Sequence, residues 1–331
     1  MKVLFFQQMR GPYNSVQILF DIIRQKLPEF IEQKELYFTY DGLSGVDKIK
    51  NIFSVSTKEK GDINHNVGEI TYAALFMEKR KTILTIHDIY RLYTSNGIKK
   101  VIYKWVWLKL PIAKSQVVTA VSHATRDEIL KHVKCSPSKV RVIYNCISPK
   151  FTPVPSVFNK EKPVLLQIGI WPNKNLERVI EALEGISCTL NIVGKPPDHI
   201  MELLKKHNID FTCKFGLSQS ELIQQYIDCD VVVFASIYEG FGVPIIEGNA
   251  VERVVVTGNC SAMKEVAADA ACLVDPFDVQ SIREGIKKVI EDDQYREQLI
   301  AAGRVNKMRF DAKVIADQYA ELYQEVYSKN N

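Results

Sequence analysis

Short apolar runs rich in β-branched residues alternate with longer amphipathic stretches along almost the whole chain, and this alternation limits the possible folds more than any other feature. Strand, helix and strand in succession form a βαβ unit, and repeated units build a parallel sheet covered on both faces. In the first half the predicted strands are Lys2–Gln7, Glu35–Tyr40, Thr82–Ile86, Gln116–Val121 and Val140–Tyr144, with helices at Val16–Leu27, Glu69–Lys79 and Ala124–Val133. The pattern restarts at Val164–Ile168 and continues through Thr189–Val193, Phe211–Phe215, Val231–Ala235, Val254–Thr257 and Ala271–Val274. Helices are predicted there at Leu176–Leu183, His199–His207, Ser220–Asp228, Pro244–Asn249, Val279–Asp292 and Ala312–Tyr327.

Four prolines (Pro149, Pro153, Pro155 and Pro163) and the charged run Asn159-Lys160-Glu161-Lys162 separate the two series. We therefore expect a Rossmann-like domain over 1–150, a Pro-rich linker over 151–163 and a second Rossmann-like domain over 164–331, its last helix free to pack back on the first. The charge changes sign at the same place. Residues 1–160 carry 25 Lys and Arg against 13 Asp and Glu, a balance of +12; residues 161–331 carry 18 against 26, a balance of −8. Ligands of such sheets sit at the carboxyl ends of the strands, so the fold class is α/β with two doubly wound domains facing across a cleft.

Several function classes drop out. Seven scattered cysteines with no C-x-x-C fit neither a disulfide framework nor a zinc site and point to a reducing, cytoplasmic setting. None of the six histidines forms an H-x-x-x-H pair, so no metal site is expected. No run of about eighteen apolar residues spans a membrane. No G-x-G-x-x-G follows Val3–Phe6 or Val164–Ile168, which removes the NAD-dependent dehydrogenases. No cofactor and no nucleic-acid partner are expected.

The segment most informative about chemistry is Ser236-Ile237-Tyr238-Glu239-Gly240-Phe241-Gly242-Val243-Pro244-Ile245-Ile246-Glu247. A strand feeds a glycine loop, and Pro244 stands where a proline opens a helix. Amides of Gly240, Phe241 and Gly242 at that helix start suit hydroxyl or anionic oxygens, and Glu239 and Glu247 can each accept hydroxyl hydrogen bonds from a polyol. Read blandly, the glycines are turn residues and both glutamates are solvated. Lys174 follows strand Val164–Ile168 and Gly169-Ile170-Trp171-Pro172-Asn173, where a cation meets an amide-rich turn suited to a diphosphate. His87 closes strand Thr82–Ile86 at its carboxyl end, with Asp88 beside it to cap the next segment or orient the ring. His65 is expected at a similar strand end.

Glu239 to Glu247, with seven residues between the glutamates, resembles the E-x7-E signature of retaining nucleotide-sugar glycosyltransferases of the GT-B fold. Gly169 to Asn175 resembles that family's phosphate-binding turn, Cys229 to Ser236 the strand entering its glutamate loop, and Thr85-Ile86-His87-Asp88, Val121-Ser122 and Ile143-Tyr144-Asn145 its N-domain landmarks. The resemblance implies a GT-B architecture and a donor site of Gly169, Asn173, Lys174, Glu239, Gly240, Phe241, Gly242, Val243 and Glu247. Glu247 is then expected on the nucleotide ribose and Glu239 on the sugar. His87, Glu239 and Lys174 are expected to act in the reaction itself. Arg10, Gly11, His65, Asp88, Ser122 and Asn145 are expected to line the cleft or meet the acceptor. Ile170-Trp171 stand where many members carry an arginine, and one glycine, Gly11, stands where two are usual. With no Asp-x-Asp in a strand-end loop, the implied reaction is a metal-independent, retaining transfer of a hexose from UDP- or GDP-sugar to a glycan or lipid-linked acceptor of surface polysaccharide synthesis. A GT-B nucleotide-sugar 2-epimerase and a non-catalytic nucleotide-sugar-binding module are the alternatives.

From Ile98 to Leu110, lysines interleave with apolar and aromatic residues. Such a segment rests on an anionic membrane surface, peripheral to its inner face, or packs on its own sheet with the lysines in water. The local pattern favours the packed helix; the +12 balance of this half favours the surface.

Overall fold

Val231-Val232-Val233-Phe234 and Val254-Val255-Val256 show why this chain builds parallel sheets: β-branched residues apolar on both faces suit strands covered by helices on each side. The structure is a computed structural model that describes residues 1–8, 15–38 and 61–330. Among them are twelve strands. The first six are β1 (Lys2–Gln8), β2 (Glu32–Phe38), β3 (Ile63–Asn66), β4 (Thr82–Ile86), β5 (Val117–Ala120) and β6 (Val140–Val142). The second six are β7 (Val164–Ile168), β8 (Thr189–Val193), β9 (Asp210–Lys214), β10 (Val231–Phe234), β11 (Val254–Gly258) and β12 (Cys272–Val274). They form two six-stranded sheets, ordered β2-β1-β3-β4-β5-β6 and β12-β11-β10-β7-β8-β9, with every pairing parallel. Both are doubly wound.

The first compact unit comprises Met1–Cys146 and Ala312–Asn331, and the second Ile147–Asp311. The last helix, Ala312–Ser328, thus belongs to the first unit, and the second ends at Asp311 rather than at 331. Residues 151–163 hold no helix or strand, yet they are fastened to the second unit. Asp230 accepts the amides of Asn159 at 3.0 Å and Val164 at 2.8 Å. Buried Arg253 donates to the carbonyls of Val154, Ile227, Cys229 and Val251 at 2.7–2.9 Å, which satisfies a guanidinium that would otherwise be costly to desolvate. In the same unit Leu165, Val231, Val233 and Val256 pack under helix residues Val179, Leu183, Ile282 and Ile286, all removed from water.

Strand β3 does not announce itself, because Ile63-Asn64-His65-Asn66 has one apolar residue and no alternation. It nonetheless lies in the sheet interior, with His65 opposite Phe5 of β1 and Ile83 of β4. The helix expected over Glu69–Lys79 is instead a 3₁₀ turn, Thr71–Phe76. From Gly97 to Lys114 the chain is continuously helical, passing through a π-helical stretch at Tyr103–Lys109.

The topology marks where a ligand belongs. In each sheet the winding reverses once, between β1 and β3 and between β7 and β10, and the crevice outside the carboxyl ends at such a reversal is the expected binding place.

Candidate functional site

The reversal in the second sheet is where the predicted donor residues gather. Gly169 leaves β7 at φ +83°, and a Cβ there would come within 3.3 Å of Cγ and Cε of Lys174. Glycine therefore permits both the left-handed turn and the lysine stem lying across it. The 3₁₀ turn Pro172–Lys174 ends at Asn175, which is left-handed at φ 60° and buried. Its side-chain amide donates to the carbonyls of Ala235 at 2.9 Å and Pro276 at 2.7 Å. Ile237 N donates to the carbonyl of Asn173 at 2.8 Å. These bonds stitch the loop after β7 to the loop after β10.

Three of the predicted donor side chains converge there. Lys174 Nζ donates to Glu239 Oε1 at 2.7 Å, and Asn173 Nδ2 donates to the same oxygen at 3.2 Å and to the Tyr238 carbonyl at 3.1 Å. The ion pair keeps 19% and 13% side-chain exposure, so it is reachable yet screened less than a surface pair. Ser261 fixes the Glu239 main chain: its Oγ accepts from Glu239 N at 3.2 Å and donates to Glu239 O at 2.6 Å. Fully buried Gln167 donates to the Lys174 carbonyl at 3.1 Å, and the Phe234 ring lies 4.8 Å from Lys174 Nζ. Ser261 and Gln167 escape sequence reasoning because neither stands in a recognisable pattern.

After Glu239, Gly240 and Phe241 are buried, and Phe241 meets Phe310 edge-on at 5.5 Å. Gly242, at φ +105°, is the N-cap of helix Val243–Ala250, whose positive end suits an anion. Glu247 lies one turn inside that helix, away from the Lys174 pair. Tyr226, buried on helix Gln219–Asp228, donates its hydroxyl to Glu247 Oε2 at 2.5 Å. Burial pushes the Glu247 carboxyl up to about 7, against the opposing effect of the tyrosine bond, so it changes charge near neutrality. In the sequence Tyr226 reads only as the inner face of an amphipathic helix.

The first unit presents His87 and Asp88 just past the carboxyl end of β4. His87 follows β4 directly, and its Nε2 donates to the Val67 carbonyl at 2.9 Å. Burial lowers its pKa, so the ring is uncharged at neutral pH and leaves the Nδ1 lone pair as an acceptor. Asp88 accepts the amide of Tyr90 at 2.8 Å, which makes it a turn cap. His65 is corrected from an acceptor residue to a core residue. It sits inside β3, fully buried, with Nδ1 bonded to the Tyr323 hydroxyl at 2.7 Å and Nε2 to Thr85 Oγ1 at 2.8 Å. Desolvation lowers its pKa to about 3. Ser122 accepts Thr125 N at 3.0 Å as the N-cap of helix His123–His132, and Asn145 is buried beyond β6. Arg10 and Gly11 lie outside the described residues.

Among the described residues no group of three or more His, Cys, Asp and Glu side chains is placed to hold a metal ion. No helix among them is long and apolar enough to cross a membrane.

Comparison with known proteins bears on the same residues. The family model for glycosyl transferases group 1 matches residues 150–306, and that for Glycosyltransferase Family 4 matches 43–151. The O-antigen chain mannosyltransferase RfbU of Salmonella typhimurium is 28% identical over 221 residues, 63% of this chain and 61% of its own, so the chain spans about three fifths of that relative. An N-acetylgalactosamine-N,N'-diacetylbacillosaminyl-diphospho-undecaprenol 4-alpha-N-acetylgalactosaminyltransferase of Campylobacter jejuni is 24% identical over 260 residues, 74% of this chain and 71% of its own. Anabaena Alr3699/HepE, solved with UDP and glucose, superposes with a TM-score of 0.79 at 17% identity over 98% of this chain and 100% of that one. WaaG, a glycosyltransferase involved in lipopolysaccharide biosynthesis, superposes at 0.73 and 12% identity over 98% and 99%. At such identities the superpositions speak to the fold.

Proposed function

Because this chain belongs to the GT-B glycosyltransferases of group 1 and family 4, we propose that it moves a hexose from a nucleoside diphosphate sugar to an acceptor hydroxyl in the synthesis of a surface glycan or its lipid-linked precursor. The observation that carries this reading is the Lys174–Glu239–Asn173 cluster at the winding reversal of the second sheet. One cation and one amide, both donating to one carboxylate oxygen, can together with it serve a diphosphate and the sugar attached to it.

In this reading Lys174 and the start of helix Val243–Ala250 stabilise the negative charge that grows on the departing diphosphate. Glu239 holds Lys174 in place before the donor arrives and takes sugar hydroxyls once the phosphate shares the lysine. Glu247, oriented by Tyr226, accepts the ribose hydroxyls. Neutral His87 offers a lone pair rather than a charge to the transferred sugar. The work is positioning and electrostatics, with no protein nucleophile and no metal or cofactor assigned, and the sugar retains its configuration through attack on the face that the diphosphate leaves.

Thermal-shift titration with UDP, GDP and their hexose conjugates tests the donor, because a ligand bound only by the folded chain raises its stability. Incubating the stabilising donor with lipid-linked saccharides then tests transfer. Sugar transfer with release of nucleoside diphosphate is the expected result. Inversion at C2 without an acceptor, or no turnover with any stabilising donor, contradicts the reading.

A further inference from the structure

The helical run Gly97–Lys114 carries two apolar faces where a helix at a protein surface needs one. Its inner face is accounted for: Leu108 and Ile112 are buried, and Tyr103, Val106 and Trp107 pack against the core of the first unit. The outer face comprises Ile98, Val101, Ile102 and Trp105, at successive steps of three, one and three residues, which places them on one side of the helix. Their exposures are 75%, 55%, 48% and 48%. Four large apolar side chains side by side in water form a patch that soluble proteins rarely keep without a use.

The charge around the patch selects the occupant. No acidic residue occurs between Asp88 and Asp127, whereas Lys99, Lys100, Lys104 and Lys109 all fall within the run. Lys99 and Lys100 are exposed beside the patch, and Lys109 Nζ lies 4.3 Å from the Trp105 ring. Lysine stems beside apolar side chains, with a tryptophan among them, match the acyl–headgroup boundary of a bilayer whose headgroups are anionic. A second copy of the chain fits poorly, since a two-fold contact through this face would set lysines against lysines.

We propose that Ile98, Val101, Ile102 and Trp105, flanked by Lys99, Lys100, Lys104 and Lys109, form a docking face for an anionic lipid bilayer. The face is independent of the transfer reaction and of the residues assigned to it.

Co-sedimentation of the full chain with phosphatidylcholine vesicles, and with vesicles containing phosphatidylglycerol, tests the proposal. The chain is expected to pellet with the anionic vesicles at low salt, with a blue shift of tryptophan emission that Trp105→Phe diminishes. Changing Lys99 and Lys100 to Gln should weaken binding by about fivefold per lysine, and raised salt should weaken it further. Ile98→Ser with Val101→Ser should weaken binding at every salt concentration. These four positions are exposed, so unchanged circular dichroism and thermal midpoint separate lost binding from lost fold. Failure of the unaltered chain to pellet with anionic vesicles at low salt overturns the proposal, as does binding that ignores all four substitutions. A concentration-dependent dimer abolished by Ile98→Ser with Val101→Ser would instead assign the face to a second copy and overturn the lipid reading.

Discussion

At the carboxyl edge of the second sheet a lysine and a glutamate meet at 2.7 Å, while in the first sheet burial lowers the pKa of two imidazoles, His87 just past the end of β4 and His65 inside β3. Both sheets come from the same winding and the same strand chemistry. They differ in what they leave within reach: Lys174 and Glu239, in the segments after β7 and β10, keep part of their surface in solvent, whereas His65, inside β3, has none. A lysine beside a carboxylate suits a diphosphate, and the neutral imidazole of His87 suits a hydroxyl.

The largest effect expected from this contrast concerns pH. His65 is neutral when folded down to about pH 3, but the unfolded chain takes up its proton near 6.5. The unfolded state therefore binds more protons between these values, and folding stability falls as pH drops below 6.5. The contribution by pH 4 is about 3 kcal/mol. Chemical denaturation at pH 7 and pH 4 should show a smaller loss for His65→Gln than for the unaltered chain. Equal losses would mean that the histidine is not desolvated.

Next comes the second carboxylate of the charged edge. If ionised Glu247 accepts ribose hydroxyls, nucleotide affinity should rise by up to about tenfold between pH 6 and 8, as a group titrating near 7 loses its proton. Glu247→Gln should flatten that rise, and the difference between the two profiles cancels the titration of the phosphate itself. Tyr226→Phe removes a bond that favours the ionised form, so the midpoint should move to higher pH. A Tyr226→Phe profile identical to that of the unaltered chain would separate the tyrosine from the site.

A smaller effect is expected at Gly169. Alanine there must adopt φ +83° at a cost of about 1–2 kcal/mol and crowd Lys174 at 3.3 Å. UDP and GDP should bind roughly three- to tenfold more weakly, an order-of-magnitude shift for a displaced charge-assisted contact, while the pH slope set by His65 stays as it was. A slope that changes with this substitution would show that the Lys174 turn and the buried His65 are not independent.

Much of this was legible in the sequence because it rests on local pattern. Val164–Ile168 and Thr189–Val193 are strands with the predicted bounds, and the glutamate loop precedes a helix that opens on Val243-Pro244. Asn173, Lys174 and Glu239, expected at one site from two segments, do converge. What escaped depends on partners outside the local pattern. Strand β3 has too few apolar residues to be seen; its His65 is held by Tyr323 and Thr85, and the Asn66 amide donates to the Ile70 carbonyl. His65 has the composition of a site residue and the environment of a core residue, and only its neighbours tell the two apart. Tyr226 acquires meaning only through the carboxylate 21 positions later.

The central claim is that the Lys174–Glu239 edge receives the donor diphosphate, and calorimetric titration of UDP and GDP into Lys174→Ala and Glu239→Gln tests it most directly. Lys174→Ala removes the cation and should weaken binding by about 1.5–3 kcal/mol. Glu239→Gln removes the carboxylate that competes for the same Nζ, so affinity for the free diphosphate should hold or rise while turnover with the sugar donor falls. Unchanged affinity in a folded Lys174→Ala variant, or loss of diphosphate binding in Glu239→Gln, would contradict the account.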